Sequence, residues 1–173
     1  EFFLFKNSYA CWHQTVPVLE RALTELNQYN AKTFNTSFSI LDIAKKAGFN
    51  TYWFSNQGYV GSVDTPVTLI ANTADRAAWT KQEITKKQCD DALLEYLPTV
   101  DPTKNNFIIF HLMGSHDNFQ TRYPEEFTIW GTPGKYHLID NYDNSLAYTD
   151  YLLKEIYTYA TEHLNLQGLV YFS

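Results

Sequence analysis

At 173 residues, with 45% hydrophobic and 17% aromatic content, the chain can bury the core of one ordered domain but is too short for two. A net charge of −6 with no basic stripe excludes a nucleic-acid surface and gives no footing for binding anionic lipid. No apolar run approaches the ~18 residues of a membrane-spanning helix.

The chain opens on Glu1-Phe2-Phe3-Leu4-Phe5, already strand-like and without an initiator methionine, so it is expected to be a fragment. Residues 2–6 read as a strand and 7–15 as a loop. Residues 17–26 read as a helix, with Thr15 or Val16 near its cap and Pro17 in the first turn, where a missing N–H costs nothing. A second helix is predicted over 37–47 from the spacing of Ile40, Ile43, Ala44 and Ala47, with Gly48 as its stop. Tyr52, Trp53 and Phe54 mark a strand over 50–55. Residues 56–66 read as a loop, 67–71 as a short strand, 81–97 as a helix and 98–106 as turns.

The apolar run from Phe107 to Leu112 reads as a strand covered on both faces. A loop follows over 114–139, long enough for a functional role. The longest helix is expected over 141–163, with Tyr142, Leu146, Leu152 or Leu153, Ile156 and Ala160 on one face, and a last strand over 168–172. This alternation predicts an α/β fold: a three-layer α/β/α sandwich on a mainly parallel sheet.

Ligands in such sheets bind beyond the carboxyl ends of the strands, where Gly114-Ser115-His116 stands. On position alone His116 is either a turn histidine bonded to backbone or a site residue, and His111 reads as a core histidine. Thr15, just ahead of a helix, reads as a cap or as a hydroxyl placed to meet an anion or a forming alkoxide. Asp140 to Ser145 opens the long helix with groups suited to its free N–H donors, and Asp150 reads as solvated. Cys11 and Cys89 have no metal-ligand spacing; they are two thiols or one disulfide.

Three strings, FIIFHLMGSHDNFQTRYP from Phe107 to Pro124, DNYDNSLAYTDY from Asp140 to Tyr151 and GLVYFS from Gly168 to Ser173, resemble the sulfatase-like phosphoethanolamine transferases of Gram-negative bacteria. These belong to the alkaline phosphatase superfamily. SFSILDIAKKAGFNTYWFSNQ from Ser37 to Gln57 is similar to a helix-strand unit of the same family. The resemblance implies that residues 1–173 are part of a sulfatase-like periplasmic catalytic domain of an inner-membrane enzyme. It implies transfer of phosphoethanolamine from phosphatidylethanolamine, through a zinc-activated threonine, to lipid A or the lipopolysaccharide core.

Zinc in such a site lowers the pKa of a bound hydroxyl and neutralises phosphoryl charge. Thr15 is the only threonine in the loop where the family keeps its nucleophile, so it is the expected nucleophile and metal ligand; that loop is shorter here than in the best-known members. His116 matches the family's substrate-side histidine. The family's other zinc ligands, a glutamate upstream and an Asp-His pair downstream, are expected outside this chain, leaving the fragment inactive alone. Two further readings stand beside this one: a sulfatase or phosphoglycerol transferase of the same superfamily, and a non-catalytic domain that binds glycan or a partner protein. A bare apolar strand at 168–172 leads to an expectation of self-association.

Overall fold

Three strands, β1 (Asn50–Ser55), β2 (Arg76–Trp79) and β3 (Asn106–His111), form a wholly parallel sheet in the order β2-β1-β3. At its carboxyl edge Ser55 stands opposite both Trp79 and His111. In this computed structural model residues 3–57, 65–80 and 88–172 are described.

Alternation along β1 divides the core. Trp53 packs with Leu19, Leu23, Leu41, Val67, Ile70 and Ala71 on one face of the sheet. Tyr52 and Phe54 pack with Leu93 and Val100 on the other. The first face is covered by helices α1 (Thr15–Ala22), α2 (Ile40–Lys46) and α3 (Pro66–Ala71), and the second by a 3₁₀ helix (Asp90–Thr99) and the 26-residue α4 (Leu138–His163). Leu97, Leu152 and Ile156 join those last two elements, with Phe110 against them. The outcome is the expected three-layer α/β/α sandwich.

Local chemistry sets the element boundaries. Ser39 caps α2 by accepting from the Asp42 N–H at 3.1 Å, while Asp42 takes the Ser39 N–H at 2.8 Å; Gly48 lies two residues past the helix with φ +88. Thr65 caps α3 and Pro66 fills its first position, so 66–71 is a helix where a strand was expected over 67–71. A short apolar run has no periodicity of its own to separate the two.

Strand β2 was not anticipated, because Arg76-Ala77-Ala78-Trp79 lacks β-branched residues. It is set in place by Asp75, whose carboxylate accepts from the N–H and the hydroxyl of buried Thr51 at 2.9 and 2.8 Å. The Thr51 amide and then the Lys45 ammonium hold the Asp75 carboxyl below the usual carboxylate range.

Other expectations are corrected. Residues 3–6 are irregular, with Phe3, Leu4 and Phe5 exposed, and 168–172 is likewise exposed and unpaired; neither stretch is a strand. Of the helix expected over 81–97, residues 81–87 lie outside the described residues and 90–99 is 3₁₀. Residues 58–64 of the expected loop also lie outside them.

Helix α4 starts three residues before the expected Asn141. The inward side of its first half is polar (Asn141, Asn144, Ser145, Thr149), whereas Tyr142 and Leu146 face outward. Neither Cys11 nor Cys89 is in a disulfide; burial, then Asp91 and Asp90, push the Cys89 thiol up to about 11.

Candidate functional site

Thr15 is the first residue of α1 and not its cap. Gln14 takes that place, its carbonyl accepting from the Val18 N–H at 3.2 Å. The Thr15 hydroxyl therefore stands at the positive end of the helix. Thr15 lines a cavity of about 170 Å³ with Val16, Trp53, Ser55, Gln57 and His111 among the other walls. This cavity lies at the carboxyl edge of the sheet, on the side covered by α1 and α3.

His111 is more than a packed core residue. Its ring stands edge-on to Trp53, and its Nδ1 lies 3.1 Å from Ser55 Oγ. The Ser55 hydroxyl also donates to the Gln57 carbonyl at 3.2 Å and accepts from the Gln57 N–H at 3.1 Å. Nε2 is buried and has no hydrogen-bond partner among the described residues. Burial pushes the imidazole down to about 4, so it is neutral near pH 7.

His116 is not among the residues lining that cavity; its side chain is exposed. Its backbone is held from several sides. The buried Asp90 carboxylate accepts from the N–H groups of Met113 and Gly114, at 2.9 and 2.8 Å. Gly114 makes the turn with φ +55, a conformation that favours glycine. The hydroxyls of Ser115 and Ser145 are hydrogen-bonded at 2.9 Å, anchoring the turn to α4. Arg122 donates to the carbonyls of His116 and Asp117 at 3.1 and 2.7 Å. An imidazole on a fully anchored backbone is ready to meet a ligand without ordering the chain first.

The polar start of α4 does something other than cap the helix. Its N-cap is His137, without a side-chain cap bond. Asn141 accepts from the His137 N–H at 2.7 Å, and Asn144 accepts from the Ile129 and Trp130 N–H groups at 2.9 and 3.0 Å. Both carboxamides donate to the Tyr123 hydroxyl. These residues fasten the loop to the helix. Asp150 is exposed, as expected.

Among the described residues no three His, Cys, Asp or Glu side chains gather as a metal site. The donor set of the described residues therefore does not fit a zinc ion.

The sulfatase family model matches residues 1–173. The chain belongs to the sulfatase family. Within it, the chain is 29% identical to phosphoethanolamine transferase EptC of Escherichia coli K12, over 98% of this chain and 32% of that protein. It is 33% identical to phosphoethanolamine transferase OpgE of the same strain, over 78% of this chain and 26% of that protein. The crystal structure of the C-terminal periplasmic domain of Escherichia coli EptC in complex with zinc aligns with a TM-score of 0.73 and 25% identity, over 84% of this chain and 45% of that one. This sulfatase-family chain thus spans about a third or less of the curated relatives' length. Among its described residues, no helix is long and apolar enough to cross a membrane.

Proposed function

We propose that this chain is part of the periplasmic catalytic domain of an inner-membrane phosphoethanolamine transferase, with Thr15 as the nucleophile. The Thr15 hydroxyl attacks the phosphorus of phosphatidylethanolamine, diacylglycerol leaves, and the phosphoethanolamine group rests on the threonine oxygen. A hydroxyl or phosphate of lipid A or the lipopolysaccharide core then takes the group and frees Thr15. His116 is the residue that meets the transferred group or the acceptor. The zinc expected for such an enzyme needs ligands that the described residues do not assemble.

The observation that supports this reading most is the setting of Thr15: a hydroxyl at the start of a helix, in the wall of a cavity at the carboxyl edge of a parallel sheet. The relatives named phosphoethanolamine transferases support the donor class.

Intact-mass analysis of the full-length enzyme after incubation with phosphatidylethanolamine vesicles tests it. A phosphoethanolamine adduct that disappears in Thr15→Ala is expected. An adduct that survives Thr15→Ala removes Thr15 from the chemistry, and a phosphoglycerol or sulfate adduct from the matching donor replaces the proposed substrate class.

A further inference from the structure

We propose that Asp90 is a positioning residue for the turn that presents His116, a reading that rests on the role given to His116 above. Asp90 opens the 3₁₀ helix and is only 5% exposed. An acid at such a position ordinarily bonds the free N–H groups of its own helix. Here both carboxylate oxygens reach out to other segments. Oδ1 accepts from the Met113 N–H at 2.9 Å and from Asn56 Nδ2 at 2.7 Å, and Oδ2 accepts from the Gly114 N–H at 2.8 Å.

Asn56 directly follows β1. Its N–H donates to the His111 carbonyl at 3.0 Å, and its Oδ1 accepts from the Thr80 hydroxyl at 2.5 Å. Thr80 directly follows β2 and donates its own N–H to the Ser55 carbonyl at 2.9 Å. One carboxylate thus ties together the carboxyl ends of all three strands and takes the two consecutive amides that set the direction of the chain into Ser115 and His116.

Burying a carboxylate is costly unless donors meet it, and here two of the donors belong to the turn itself. The amide N–H groups are neutral and point one way, so an asparagine at 90 cannot serve both: its NH₂ group would face an N–H. The turn would then relax from the position that aims the imidazole.

The test compares Asp90→Asn, Asp90→Glu, His116→Ala and the Asp90→Asn/His116→Ala pair in the full-length enzyme, reading kcat and KM separately, with hydrogen exchange at the Met113 and Gly114 amides. Asp90→Asn should lower kcat about tenfold to a hundredfold with KM within about twofold, and cost nothing further on top of His116→Ala. Asp90→Glu keeps both acceptors on a longer arm, so it holds the fold while shifting the turn and shows the same split; it carries the test should Asp90→Asn fail to fold. Losses that add to that of His116→Ala, or that fall on KM alone, overturn the proposal. Unchanged turnover in His116→Ala defeats the functional reading instead; the Asp90 clamp then stands if both amides exchange faster in the Asp90 variants and falls if they do not.

Discussion

The two residues singled out for chemistry sit in regions built in opposite ways. The turn carrying His116 is held by a buried carboxylate, a serine pair and an arginine before any ligand arrives. Thr15 begins an eight-residue helix with no side-chain cap, approached through residues 3–14, where Phe3, Leu4, Phe5, Tyr9 and Trp12 are exposed. One region has its geometry fixed by polar contacts. The other leans on α1 through Leu19 and Leu23. If both residues serve one reaction, the burden of alignment falls on the second region.

Four measurements sharpen or break that contrast. The largest effect is expected where the second face of the sheet is packed. Leu152→Ala, at a wholly buried site between the 3₁₀ helix and α4, should cost about 2–5 kcal/mol in urea unfolding. A loss below about 1 kcal/mol would mean that α4 is not the firm platform the His116 turn rests on.

Next comes pH. His111 is held near 4 in the fold by burial, against 6.5 for a free imidazole. The unfolded chain therefore takes up this proton first. Stability contributed by the neutral ring is whole above pH 6.5 and falls as the pH drops towards 4, by about 3 kcal/mol, then levels off. Unfolding curves across this range should show that slope in the parent chain and lose it in His111→Leu; an equal slope in both would place the titration elsewhere.

Asn144→Ala, which empties a wholly buried site and removes the acceptor shared by the Ile129 and Trp130 amides, should cost about 1–3 kcal/mol and speed hydrogen exchange at Ile129 and Trp130. The smallest effect is Thr15→Ala. The residue is exposed, and the substitution should leave the unfolding midpoint within about 0.5 kcal/mol of the parent. A larger loss would give Thr15 a structural role and erase the contrast between the two regions.

How far the molecule could be read in advance follows from the same division. Strands β1 and β3 were legible because Tyr-Trp-Phe and Phe-Ile-Ile-Phe are apolar runs bounded by polar residues. So were the layer order and α2, through the spacing of Ile40, Ile43, Ala44 and Ala47 and the Gly48 stop, though its Ser39 cap was not read. What stayed hidden was held by long-range polar contacts. β2 depends on Asp75 meeting Thr51 across 24 residues. The inward side of α4 near its start is asparagine and serine, which an apolar stripe cannot reveal.

Among the residues proposed for chemistry, the Gly-Ser-His turn was visible as a motif, and Thr15 as the one threonine in the loop. Asp90 was not, because in Cys89-Asp90-Asp91-Ala92-Leu93 it looks like its solvent-facing neighbour Asp91. Only burial separates the two. His111 was set aside as core, and nothing short of coordinates could expose the orphaned Nε2.

Asn144 has a mechanical consequence. Its carboxamide grips the chain at 129 and 130 and meets Tyr123, while Ser145, one residue on, holds Ser115. The long segment between β3 and α4 is thereby riveted to the helix at several places along its length. The strand-end turn therefore hangs between two supports, the Asp90 carboxylate at the strand ends and Ser145 on α4, and a shift of the helix against the sheet would strain its backbone.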